Sequence, residues 1–352
     1  MALSFQGLMI QLFKRLPASM LYAMAGGKPM QIDGHTLNPM SQLLWVQGKK
    51  QPPLRSFPPP VARAGAAAGL GLLKAAPRPM ANIENTVIPA AGRDIPIRVY
   101  TPRGVATPSA LTLYFHQGGC VIGDLDTCDA FCTQLADTAK CRLISVDYRL
   151  APEHKFPAAV DDAIAAYEWA LANAAELRID RKRIAVAGDS AGGQLSAVIT
   201  HHARKNALQM PAFQLLIYPW LEGQADTPSY STMTDAYPLD AATMKWFCDL
   251  YLNDASELAD MRVSPLRETS FAGLPPAFIA SAGFDPLRDE AKLYADKLQA
   301  AGVPATYKCY GNLTHSFAMI SGAVPAAVPA CNELADALKN ALAGHVSSVP
   351  LN

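Results

Sequence analysis

The sequence predicts an α/β chain built on one mostly parallel sheet with helices on both faces. Three observations carry that prediction. From residue 80 onward, short apolar runs alternate with stretches of helical period. Those runs are apolar almost without interruption, the signature of strands buried on both sides. Half of the 352 residues are hydrophobic and only 17% are charged, enough apolar material for a large core.

The elements follow in order. Asn85–Pro89 and Ile95–Tyr100 flank Gly92-Arg93-Asp94 and read as a hairpin. Leu111–Phe115 is a strand, followed by a helix over about 127–140, a strand over Leu143–Asp147 and a helix over Ala158–Ala174 with Val160, Ile164, Tyr167 and Leu171 on one stripe. Ile184–Ala187 leads into a helix from Ala191 to about Lys205, and Phe213–Tyr218 is again a strand. Residues 221–270 interrupt the alternation with an aromatic-rich helical insertion. Ala277–Ser281, a helix over Arg288–Ala300, a strand over Thr306–Tyr310 and a helix over Ala327–Leu342 complete it. Right-handed crossovers then bring the C-terminal ends of the parallel strands to one edge, where ligand sites collect.

The first 80 residues differ. Pro52-Pro53, Pro58-Pro59-Pro60 and the Ala/Gly run from Ala66 to Gly71 read as breakers in a lid-like or linking region. Leu8, Met9, Leu12, Phe13 and Leu16 recur at helical spacing. That helix is expected to pack on the body, with contact to a lipid surface as the alternative. Lys14 and Arg15 follow the apolar stretch, the wrong order for a secretory signal. Thirty basic residues balance thirty acidic ones, and no basic block is long enough to track a phosphate backbone, so nucleic acid is excluded as an expected partner. Seven cysteines, an odd number without CxxC pairing, point to a reduced, cytoplasmic setting and to no metal site.

Gly188-Asp189-Ser190-Ala191-Gly192 fits G-x-S-x-G between a strand and a helix. A sharp turn there would lift the Ser190 hydroxyl clear of the sheet at a helix N-terminus, whose dipole favours developing negative charge. Such a hydroxyl needs a base, and seven histidines compete. His35 and His345 lie near the termini, His201 and His202 are placed mid-helix near its outer surface, His154 sits in a Pro-bounded loop, and His116 opens a glycine loop. His315 follows the last strand, on the edge Ser190 occupies, and is the candidate base. Asp285, ending the preceding strand, is the candidate acid that orients it. Its rivals Asp289 and Glu290 fall in the first turn of a helix, where acids complement the dipole. The backbone N–H groups of Gly118, Gly119 and Ala191 are the candidate oxyanion donors.

With these residues in place the chain resembles the hormone-sensitive-lipase-like (family IV) carboxylesterases. His116-Gln117-Gly118-Gly119, Asp147–Glu153, Gly188–Gly193, Asp285–Asp289 and His315-Ser316-Phe317 carry the likeness, in the right order over residues 80–345. The resemblance implies the α/β-hydrolase fold, an eight-stranded mostly parallel sheet with a helical cap. It implies hydrolysis of small esters with short to medium acyl chains, without metal or cofactor; the sequence leaves open a monomer or a homodimer paired through the last sheet edge. Amide hydrolysis or deacetylation is the alternative chemistry. A non-catalytic receptor on the same scaffold is the rival class, and keeping all three triad candidates speaks against it. The division expected is residues 1–80 as the N-terminal cap segment, 81–220 and 271–352 as the catalytic domain, and 221–270 as the rest of the cap. Cys120, Asp189, Met244, Trp246 and Phe247 are the pocket candidates, packing within the cap being the other role open to the last three. Gln117 replaces the family's usual glycine and is strained if its φ is positive. Arg149 and Glu153 are expected to pair.

Overall fold

The computed structural model describes residues 5–90 and 92–344. His345, with the C-terminal stretch after it, Met1–Ser4 and Ala91, lies outside the described residues. The N-terminal segment contains the helices Phe5–Phe13 (α1) and Ala18–Met24 (α2), a short antiparallel pair of Gln31–Ile32 (β1) with His35–Thr36 (β2), and the helices Pro39–Gly48 (α3) and Pro59–Leu73 (α4). Asn38 caps α3 by accepting from the Ser41 N–H at 2.9 Å. The Ala/Gly run expected to break structure is instead the body of α4. Its prolines stand in the first turn, where a missing N–H matters least, and its alanines propagate the helix. In and just after α1, Ile10, Phe13 and Leu16 pack on the core, whereas Leu8 and Leu12 are exposed.

The main sheet begins with Asn82–Ala90 (β3) and Arg93–Thr101 (β4), antiparallel from Asn82 opposite Thr101 to Ala90 opposite Arg93. It continues with Ser109–Phe115 (β5), Leu125–Ala139 (α5), Arg142–Val146 (β6), Ala158–Ala172 (α6), Ile179–Asp189 (β7), Ala191–Lys205 (α7) and Phe213–Ile217 (β8). After the insertion, which carries Pro228–Thr232 (α8) and Ala241–Tyr251 (α9), come Ala277–Phe284 (β9), Arg288–Ala300 (α10), Ala305–Thr314 (β10) and Val328–Leu342 (α11). The strand order is β10-β9-β8-β7-β5-β6-β4-β3, eight strands, antiparallel only where β4 meets β3 and β6. This is the predicted α/β-hydrolase sheet.

Successive residues of a strand face opposite sides, and the core divides accordingly. Leu111, Leu113, Phe115, Ile184 and Val186 face α6 and α7, while Ala110, Tyr114, Ala185 and Ala187 face α5 and α11. Two sequence expectations fail here for reasons of packing, and a third, Glu290 in the first turn of α10, holds with more burial than the sequence suggested. His201 is buried, not outward: α7 is covered along most of its length, and the ring meets Phe271 edge-on at 5.2 Å and the Tyr294 hydroxyl at 3.1 Å. Glu290 is fully buried and accepts from the Leu221 N–H at 2.7 Å, so burial pushes its carboxyl well above the usual range. Arg149 and Glu153 do not pair. Arg149 joins Arg93 on the buried Asp162, and Glu153 meets Arg63 of α4 at 2.6 Å. A buried carboxylate needs cations more than an exposed one does.

Candidate active site

Strand β7 ends at Asp189 and α7 starts at Ala191, leaving Ser190 alone to reverse the chain. Its backbone sits at φ 56°, ψ −118°, a conformation that costs a non-glycine residue about 1–3 kcal/mol and persists only where its surroundings enforce it. They do. The Ser190 N–H donates to Ile217 O at 2.9 Å, and Ser190 O accepts from Trp220 and Gln194 N–H at 3.0 and 3.1 Å. A Cβ on Gly192 would stand 1.8 Å from Phe115 O, and one on Gly188 would stand 2.2 Å from Gly192 O. Only glycine lets the helix leave the sheet so steeply.

His315 follows β10, and its Nδ1 lies 2.7 Å from Asp285 Oδ2. Asp285 is fully buried and held by a second bond, accepting from the Leu287 N–H at 2.9 Å. The Tyr218 ring lies 4.8 Å from the imidazole, and its hydroxyl donates to Asp189 Oδ2 at 3.2 Å. Tyr114 donates to the other oxygen of Asp189 at 2.7 Å. Burial pushes the Asp189 carboxyl up to about 6, against the pull of Tyr114, His315 and Tyr218.

The loop after β5 is fixed by Tyr148. Its ring stacks on His116 at 4.3 Å, and its hydroxyl donates to His116 O at 2.7 Å. Burial lowers the His116 pKa, and its Nδ1 lies 2.8 Å from Gln117 O. Gly118 O accepts from the Val121 and Ile122 N–H groups, both at 2.9 Å. Gly118 and Gly119 take φ 127° and 59°; a Cβ on the first would meet Ile122 O at 2.0 Å, and on the second the Phe247 ring at 2.3 Å. Among the described residues no acceptor pairs with the N–H of Gly118, Gly119 or Ala191.

A cavity of about 740 Å³ joins these parts, its wall including Ser190, His315, Gln117 and Gly118. Helix α4 faces it with Ala62, Gly65, Ala66 and Gly69, side chains small enough to leave room. A model of the alpha/beta hydrolase fold family matches residues 112–319, more than half of the chain.

The chain belongs to the α/β-hydrolase family. It is 38% identical over 343 residues to the carboxylic ester hydrolase LipN of Mycobacterium tuberculosis, covering 95% of this chain and 90% of that protein. It is 38% identical over 229 residues to an ethyl acetate hydrolase of Pseudomonas putida, covering 64% and 72%. Among solved structures, a thermostable esterase from Pseudomonas putida superposes with a TM-score of 0.84 at 32% identity, covering 89% of this chain and 99% of that one. The hormone-sensitive-lipase-like likeness carried by the five motifs agrees with these relatives.

In this α/β hydrolase the sequence candidates separate. Ser190, His315 and Gly118 reach one cavity, with Asp285 behind His315. Of the pocket candidates, Phe247 lines the wall. Cys120 and Met244 are buried in the core, Trp246 packs against it, and Asp189 lies beneath Ser190, closed off by two tyrosines. Gln117 escapes the expected strain because the left-handed turn falls on Gly118, Gly119 and Cys120 at φ 58°. Sequence reasoning missed the α4 wall, whose small residues at i, i+3, i+4 and i+7 (Ala62, Gly65, Ala66, Gly69) were the available signal. Among the described residues no cluster of three or more His, Cys, Asp or Glu could hold a metal ion, and no helix is long and apolar enough to cross a membrane.

Proposed function

We propose that this chain hydrolyses carboxylic esters of short to medium acyl chain, with Ser190 as nucleophile, His315 as base and Asp285 orienting that base. The observation that carries this reading is the 2.7 Å contact between His315 Nδ1 and Asp285 Oδ2, made on the wall of the cavity that Ser190 shares. With Nδ1 engaged, the free ring position is Nε2, the tautomer a serine-activating imidazole needs.

The steps follow from that geometry. Ser190 Oγ attacks the ester carbonyl while His315 takes its proton, and Asp285 stabilises the imidazolium without being protonated. The oxyanion meets the N–H groups of Gly118, Gly119 and Ala191, the last at the positive end of α7. Each such donor is typically worth about 3 kcal/mol in the transition state. His315 then protonates the departing alcohol, leaving an acyl-serine. Water repeats the cycle and frees the acid. The N-terminal segment and the insertion act as the cap, since residues of both line the cavity. With five of the seven cysteines buried as free thiols, a reducing, cytoplasmic setting is the one this reading assigns.

The test is Ser190→Ala assayed on p-nitrophenyl butyrate, alongside mass analysis after organophosphate treatment. Loss of turnover by at least about 10³-fold, with one phosphoryl adduct on Ser190 of the parent, is expected. Undiminished turnover in a folded Ser190→Ala protein ends the assignment.

A further inference from the structure

Gln117 stands where the resembling esterases usually carry glycine, and its backbone does not need one. Its side chain therefore calls for an explanation. Oε1 accepts from Ser316 Oγ at 2.6 Å. Gln117 immediately precedes the donor Gly118, and Ser316 immediately follows His315. The carboxamide thus ties the oxyanion loop to the loop that carries the base.

The other half of the amide is unspent. Among the described residues Nε2 has no hydrogen-bond partner, yet it is absent from the buried polar atoms that lack one. The residue as a whole is only 8% exposed, and it lines the cavity with Ser190 and His315. Gln117 thus brings an unpaired donor to the wall of this cavity. The wall is mixed: Ile122, Leu239, Phe247 and Ile320 offer no side-chain acceptor, while Thr127 and Asp240 do, yet none of them bonds Nε2. A carboxamide nitrogen carries two donors, and stripping water from them without supplying an acceptor is unfavourable.

We propose that Gln117 is a specificity-determining residue whose Nε2 donates to a second oxygen on the substrate, close to the carbonyl being cleaved. Esters of alkoxy- or otherwise oxygen-substituted acids are then favoured over plain alkyl esters. The selectivity arises as much from penalty as from attraction: an all-carbon chain beside Nε2 removes water and returns no acceptor. Ser316 sets the direction of the amide, and the positive φ of Ser316, 63°, is part of holding it there.

This inference rests on the ester-hydrolase reading, and one pair of substrates separates the two. p-Nitrophenyl methoxyacetate and butyrate have the same length, an ether oxygen replacing one methylene. The quantity to measure is the ratio of their kcat/KM values, in the parent and in Gln117→Met. Intrinsic reactivity differs between the esters but cancels when the two ratios are compared. The ratio is expected to fall roughly three- to tenfold in the variant, the worth of one ordinary hydrogen bond. Ser316→Ala, which releases the carboxamide, is expected to lower it by a smaller factor, and it carries the test if Gln117→Met does not fold. An unchanged ratio in a folded variant, even with both rates reduced together, makes Gln117 a prop for the loops and overturns the proposal. A higher ratio overturns it too. A parent that turns over neither ester fails the enzyme reading instead.

Discussion

Glycine does different things in the two parts of this molecule. In the body, a Cβ on Gly192 would stand 1.8 Å from Phe115 O, and one on Gly283 2.2 Å from Gly311 O. In the N-terminal segment, Gly65, Gly69 and Gly71 of α4 have nothing within 4 Å of the same position. The charges differ as well. Residues 1–80 hold nine basic residues and one acidic residue, a net +8, so the remainder of this neutral chain carries −8. The body is a frame whose backbones touch at the serine turn and between β9 and β10, and its glycines there are required by contact. The proposed cover keeps space open along α4, where these glycines meet nothing, whereas Gly48 of α3 would set a Cβ 2.2 Å from the Tyr237 ring.

Substituting one glycine from each part breaks the comparison or sharpens it. Gly192→Ala forces a methyl group into a carbonyl oxygen under the Ser190 turn. It is expected to destabilise the protein by on the order of 3 kcal/mol or more and to abolish ester turnover; thermal melting and a butyrate assay read both effects. A normal melt would remove the contact argument. Next in size, Asp285→Asn keeps the shape of the site and leaves His315 with the wrong partner. A fall in kcat on the order of 10⁴-fold is expected, with little change in melting temperature. A loss of stability as large as the loss of rate would make Asp285 a structural residue of the body.

Buried polar groups give a pH test of the frame. Burial first, then Arg204 and Lys205, pushes the His201 pKa down from 6.5 to about 3. Between those values the unfolded chain binds a proton that the folded one refuses. The stability contributed by this group is therefore complete above pH 6.5 and is lost as pH falls toward 3, by an amount on the order of a few kcal/mol. His201→Gln should flatten the melting temperature between pH 6.5 and 4; an unaltered slope would place the acid sensitivity elsewhere. The smallest effect belongs to the cover. Gly69→Ala should stabilise α4 by about 0.5–1 kcal/mol, since Ala propagates a helix better and meets nothing there. A destabilising result would show that the cover is as tightly specified as the frame.

What could be read from the chain in advance follows the same division. The strands of the body, the serine turn and the order Ser190, Asp285, His315 were legible because each rests on a local pattern: apolar period, a glycine-flanked turn, a residue at a strand end. The partners of buried charges were not. Arg149 was assigned to Glu153, four residues away, and found Asp162 instead because that carboxylate is the buried one. His201 read as outward because α7 is polar enough to look exposed, and the covering Phe271 and Tyr294 come from distant segments. Helix α4 was hidden by its prolines and glycines, which signal a break until a neighbouring surface makes the helix worth forming.

By itself, then, the sequence determined the alternating elements, the parallel sheet and the strand ends at which Ser190, Asp285 and His315 stand, since backbone sterics and apolar periodicity act within a few residues. Only the tertiary structure decided which side chains face the cavity, which carboxyls are kept from water, and that Gln117 reaches Ser316. Those outcomes depend on which surfaces exclude solvent, a property of the packed molecule that no short stretch of chain contains.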